Sequence, residues 1–170
     1  MLTVLANVNI VDATRRDPLR NATIVVKDGV IEEITSRDRL PKLKAAQTMD
    51  LQGAWVIPGL IDSHNHMVSP LAPFYFPEEP IIDRYIRQGR ETMDALKVGF
   101  TTLRVVGAPD FSDVAWKQAF ESNLYTGPRL FVAAHALAPT AGHGQGMKCS
   151  VESDGSEGFR RLVREQIQGG

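Results

Sequence analysis

The chain has 170 residues, 43% of them hydrophobic and 23% charged, so a globular fold with a real core is expected. Its formal net charge is −1 with no long run of either sign, which gives no footprint for nucleic acid or an anionic membrane surface. A single cysteine, Cys149, excludes an intrachain disulfide. The start, Met1-Leu2-Thr3-Val4, has no secretory pattern, and no apolar run is long enough to span a bilayer. Cytoplasmic is the default location.

The opening reads as β structure. Leu2 to Val11 is rich in branched apolar residues, and Arg15-Arg16-Asp17-Pro18 marks a turn. Asp28-Gly29 between Ala22–Lys27 and Val30–Ile34 predicts a type I′ hairpin, whose two central residues both need positive φ. Glu32 between Val30 and Ile34 predicts one wet face. Pro41 to Gln47 reads as a loop and Thr48–Leu51 as a short strand closed by Gln52-Gly53. Ala54-Trp55-Val56-Ile57 is an apolar lead-in to Pro58-Gly59-Leu60-Ile61-Asp62-Ser63-His64-Asn65-His66. On a strand, His64 and His66 share a face and can chelate a metal such as zinc, with Asn65 turned away. Two ligands are too few for a catalytic ion, so others must come from elsewhere. A bare pair at this spacing is often a surface coincidence; the Pro-Gly turn, the apolar lead-in and Asp62 favour ligands.

Further along, Ser69 to Pro77 is a proline-dense loop carrying Phe74, Tyr75 and Phe76, which either line a pocket or pin the loop. A helix is expected from Ile81 to Val98, with Ile82, Ile86, Gly89, Met93 and Leu96 as its packing stripe and Gly99 as its stop. Thr101–Val106 reads as a buried strand in which Arg104 is an unusual charge needing a partner. Phe111–Tyr125 reads as a helix capped by Asp110 or Ser112, packing through Ala115, Trp116, Ala119 and Phe120. Arg129–Leu137 reads as a third strand containing His135, a glycine-rich loop Ala141–Gly146 follows, and a helix is expected over Phe159–Ile167. His143, between Gly142 and Gly144, is a candidate substrate contact or a plain exposed loop residue. His135 is expected to be a packed, hydrogen-bonded histidine. Asp62 either orients a ligand histidine or serves the strand start. Cys149 is expected to be only a small side chain. The βαβα alternation predicts a parallel α/β sheet of roughly three βα units, fewer than a closed eight-unit barrel needs.

The string around His64 and His66 resembles the signature of the amidohydrolase superfamily. The segment Gly127-Pro128-Arg129-Leu130 through Ala141-Gly142-His143-Gly144 resembles the branch of imidazolonepropionase and of dipeptidases or carboxypeptidases acting on Xaa-Pro or Xaa-Arg/Lys. The resemblance implies an α/β fold, the first part of a (β/α)8 barrel (residues 58–170), preceded by part of a small β-sandwich domain (1–57). It implies metal ligation by His64 and His66, substrate contact by His143, one or two Zn2+ ions, and a general-base aspartate expected beyond Gly170. The implied function is hydrolysis of an amide bond by metal-activated water, in a dipeptide or N-acyl amino acid, with the 170 residues alone expected to be inactive. The alternatives are a cyclic-amide hydrolase like imidazolonepropionase and, in another class, a metal-free scaffold or inactive fragment. The implied partners are a small-molecule or dipeptide substrate, with neither nucleic acid nor membrane; a homo-oligomer is left open.

Overall fold

The computed structural model describes residues 1–14, 17–36, 47–67 and 79–170. Of the expected loop Pro41–Gln47, Gln47 instead opens a strand and the rest lies outside the described residues, as do the loop Ser69–Pro77, with Phe74, Tyr75 and Phe76, and the arginines of the first turn. The chain forms two compact units, Met1–Pro58 and Gly59–Gly170.

The first unit is a four-stranded sheet of β1 (Leu2–Ile10), β2 (Leu19–Lys27), β3 (Val30–Ser36) and β4 (Gln47–Val56), ordered β3-β2-β1-β4. The hairpin forms as expected: Lys27 pairs with Val30, and Asp28 and Gly29 have φ of 49° and 81°. Alternation along β1 buries Val4, Ala6, Val8 and Ile10, and Val8 and Ile10 pack with Ala22 and Ile24. Two expectations change here. Edge strand β3 is exposed on both faces from Val30 to Ile34, with Val30 and Ile31 as open as Glu32, and Thr35 is buried. Ala54–Val56 does not lead into the histidines but continues β4, parallel to β1. A kink at Gln52-Gly53 (φ 52° and 83°) joins the two halves of β4, and the Asn9 amide donates to the Gly53 carbonyl at 2.7 Å.

The second unit has a parallel sheet of β5 (Leu60–Asn65), β6 (Phe100–Val105) and β7 (Arg129–Phe131), in that order. Helix α1 (Ile81–Lys97) joins β5 to β6, and α2 (Ser112–Glu121) joins β6 to β7. A small parallel pair, β8 (Ala136–Ala138) and β9 (Ser150–Glu152), precedes α3 (Gly155–Gly169). Leu103, Val105 and Leu130 form the core with Met67 and Ala108, and Trp116 and Phe120 pack on it. The opposite sheet face is open: Ile61 is 68% and Phe131 57% exposed. Arg104 lies on this face, exposed, so the expected buried charge is not one; strand alternation turns it away from Leu103 and Val105. Among the described residues no helix is long and apolar enough to cross a membrane.

The helices depart from their predicted faces. Helix α1 buries Gln88, Gly89 and Thr92, while Ile82 and Ile86 of the expected stripe are each 63% exposed. Gly99 (φ 97°) ends the helix as expected, and its N–H donates to Leu96. In α2 the buried residues are Ser112, Asp113 and Val114, and Ala115 is exposed. Neither Asp110 nor Ser112 caps it by a side-chain bond; the Asp113 carboxylate instead takes the Val114 N–H at 2.9 Å.

The start of α1 is tied down by Glu79, whose carboxylate takes two bonds from the Arg87 guanidinium, at 2.8 and 2.7 Å, with Arg84 at 3.6 Å. Fork geometry makes such a pair strong. The Arg87 bonds hold the Glu79 carboxyl below its ordinary value of 4.5 despite its burial. A depressed folded pKa contributes stability that is fully present above 4.5 and lost as pH falls through the lower folded value. Glu79→Gln is therefore expected to lower stability at neutral pH and to flatten the stability profile below 4.5 in acid urea titrations. An unchanged profile would count against this pairing.

Candidate functional site

The site is built at the C-terminal end of β5. A bulge falls between Asp62 and Asn65: these are three residues apart on β5 but face Leu103 and Val105, two apart on β6. Asp62 shapes this end. Its carboxylate accepts the His64 N–H at 3.1 Å and the Asn65 amide at 2.9 Å. The Asn65 bond first, then the His64 bond, holds it below the usual carboxylate range. Asp62 thus fixes backbone and Asn65 rather than bonding an imidazole. Asn65 carries the turn onward: its Oδ1 accepts the Met67 N–H at 2.7 Å, and Met67 (φ 56°) enters the core.

His64 and His66 come together as the spacing predicts, with ring centroids 5.3 Å apart and planes at 68°. His64 is exposed and His66 half-buried. His66 Nδ1 lies 3.0 Å from the Gly107 carbonyl at the end of β6. A carbonyl can only accept, so Nδ1 carries the proton and Nε2 keeps a free lone pair. A neutral imidazole held in this way by a backbone carbonyl can ligate a metal through Nε2. Two imidazoles holding one tetrahedral ion at about 2.0–2.1 Å place their centroids roughly 5 Å apart, a separation close to that of this pair. Among the described residues no cluster of three or more candidate metal ligands exists.

His143 is exposed, and its imidazole makes no hydrogen bond among the described residues. The flanking glycines serve the loop itself: a Cβ on Gly142 would sit 2.8 Å from the Pro139 carbonyl, and one on Gly144 2.8 Å from Ser150 Oγ. Asp154 closes the loop by accepting the Thr140 N–H at 3.1 Å.

His135 is corrected in place but not in character. It lies beyond β7, because the chain leaves the sheet after Phe131: the buried Asp113 carboxylate takes the N–H groups of Ala133 (3.2 Å) and Ala134 (3.0 Å). Both its ring nitrogens are engaged, Nε2 by the Asp110 N–H at 3.3 Å and Nδ1 by Gln166 Oε1 at 3.3 Å. Cys149 is half-buried, with its thiol free. Sequence reasoning missed Asp113, Tyr85 and Gln166. An acid in the first turn of a predicted helix marks Asp113 as a backbone binder; no local signal marks the other two.

The described residues place a histidine pair at the end of the first strand of a parallel sheet with helices between its strands, and the chain is similar to amidohydrolases, prolidases and imidazolonepropionases. The structure superposes on that of an amidohydrolase at 30% identity and a TM-score of 0.84, covering 100% of this chain and 45% of that one. A prolidase complexed with N-methylphosphonate-L-proline is more particular: 33% identity, TM-score 0.85, again 100% of this chain and 45% of that one. An imidazolonepropionase from Pseudomonas putida is 48% identical over 54 residues, which is 32% of this chain and 14% of that enzyme. The chain thus spans less than half the length of these solved relatives. No protein-family model matches the sequence.

Proposed function

We propose that this chain carries the first-strand metal ligands of a hydrolase that cleaves an amide bond, in an Xaa-Pro-type dipeptide or an N-acyl amino acid. The observation that carries the reading is the His66 Nδ1 to Gly107 bond, which leaves Nε2 open beside His64. His64 and His66 would hold Zn2+, one or two ions in all, with the remaining ligands and the general base outside these residues. When bound, such an ion lowers the pKa of water and polarises a carbonyl. The open sheet face, with Arg104 and Phe131, suits the interior of a (β/α)8 barrel, and unit 1 suits part of a β-sandwich. His143, exposed on a compact loop and without a hydrogen-bond partner among the described residues, would contact substrate. The prolidase relative, seen with a proline phosphonate, supports the Xaa-Pro class. A cyclic-amide substrate is the second reading, supported by the imidazolonepropionase match.

The test is metal analysis of the full-length protein, followed by hydrolysis assays on Xaa-Pro dipeptides, N-acyl amino acids and a cyclic amide. Assays are run before and after chelation, and again after Zn2+ is restored. Activity lost on chelation and restored by zinc on a dipeptide or N-acyl amino acid is expected. Turnover of the cyclic amide alone moves the assignment to the second reading. Absence of metal and of all turnover makes the protein a scaffold.

A further inference from the structure

The bond that orients His66 is only as well placed as the Gly107 carbonyl. Gly107 opens the connection from β6 to α2, which contains two consecutive left-handed residues with side chains, Asp110 (φ 52°, ψ 33°) and Phe111 (φ 57°, ψ 26°). Such a pair persists only where its surroundings over-determine it. The surroundings are the residues around His135. The Ala108 N–H donates to the Ala134 carbonyl at 2.7 Å. The Asp110 N–H donates to His135 Nε2 at 3.3 Å, and the Phe111 ring stands edge-on to the imidazole, centroids 5.1 Å apart at 86°. Gly107 itself abuts the next residue, for a Cβ there would lie 3.0 Å from that of Ala136. The imidazole is in turn held from α3: Gln166 Oε1 accepts the His135 N–H at 3.0 Å and lies 3.3 Å from Nδ1. Because Nε2 accepts from Asp110, Nδ1 carries the proton, and both contacts are met by one neutral tautomer. On the far side the Tyr85 hydroxyl donates to the Asp110 carboxylate.

We propose that His135 is a positioning residue for the metal pair: it clamps the Gly107–Phe111 turn and thereby aims the Gly107 carbonyl at His66 Nδ1. This rests on the metal-binding reading of His64 and His66. His135 would touch neither metal nor substrate.

The experiment is Co2+ titration of the metal-free full-length protein, read by affinity and by the visible absorption spectrum of the bound ion. His66→Ala is the reference for the site itself. His135→Leu is expected to weaken Co2+ binding by about tenfold, the low end of the effect of losing an outer-shell partner, and to alter the spectrum. His135→Gln, whose amide oxygen can accept the Asp110 N–H, is expected to recover most of the affinity and the spectrum. Gln166→Ala frees the imidazole without removing it and is expected to act in the same direction as His135→Leu, more weakly; it carries the test where His135→Leu does not fold. If His66→Ala loses Co2+ while His135→Leu or, in its place, Gln166→Ala keeps wild-type affinity and spectrum, the clamp is refuted and the metal site stands. If His66→Ala itself keeps wild-type Co2+ binding, the metal reading fails first.

Discussion

Replacing His64 and His66 together with alanine is expected to abolish both tightly bound metal and hydrolysis in the full-length protein. Losing an outer-shell partner of a metal ligand costs about 10–100-fold in affinity, and removing two ligands outright must cost far more. The change to the fold should be small by comparison. His64 is exposed, its ring bonded to nothing among the described residues, and His66 gives up one bond to the Gly107 carbonyl, worth about 0.5–1.5 kcal/mol. The single variants separate the two roles. His64→Ala removes a ligand and leaves the Gly107 bond intact, whereas His66→Ala also leaves the carbonyl of Gly107 without its donor. Metal content by plasma mass spectrometry and unfolding in urea, measured on the same samples, decide the matter. Retained zinc with unchanged hydrolysis in the double variant would falsify the site assignment.

The parts of the fold and of this site legible in the sequence are those set by short-range geometry. A two-residue spacing near a strand end puts His64 beside His66, and Asp28-Gly29 dictates its own turn, since both facts depend on neighbours in the chain. The rest depends on partners distant in sequence. Nothing around Phe131 says that β7 stops there; it stops because Asp113, some twenty residues earlier, captures the Ala133 and Ala134 N–H groups. Likewise the apolar stripe of α1 names Ile82 and Ile86, yet the helix is seated through Gln88, Gly89 and Thr92. That face is chosen by the bulk it must receive from α2. The β5 bulge is invisible for the same reason: it exists only in the register between β5 and β6. Arg104 looked anomalous only on the assumption that both faces of β6 are covered, and one is open.

The seating of α1 predicts the second large effect. A side chain at Gly89 is expected to destabilise the protein strongly, and the cause is a single indole. A Cβ at this position would lie 1.9 Å from Trp116 Cζ2 and 2.0 Å from Cη2, closer than atoms can approach. Trp116 has little freedom to yield. Its Nε1–H donates to the Tyr85 carbonyl at 3.1 Å, and its ring lies 5.7 Å from that of Phe120 and 5.6 Å from that of Tyr125. Two terms oppose each other in Gly89→Ala. Helix propensity favours alanine over glycine by about 1 kcal/mol. Overpacking costs typically about 1–3 kcal/mol, and losing the indole bond adds about 1 kcal/mol. The balance is a net loss on the order of 1–3 kcal/mol, and Gly89→Leu should be worse because its further atoms have nowhere to go. A double-mutant cycle isolates the cause. Trp116→Phe removes Cζ2 and Cη2, so Gly89→Ala should cost much less in that background and could become favourable through its helix propensity. Urea midpoints for the four proteins test this directly. A full cost of Gly89→Ala persisting alongside Trp116→Phe would mean that the indole is not what selects the buried face of α1.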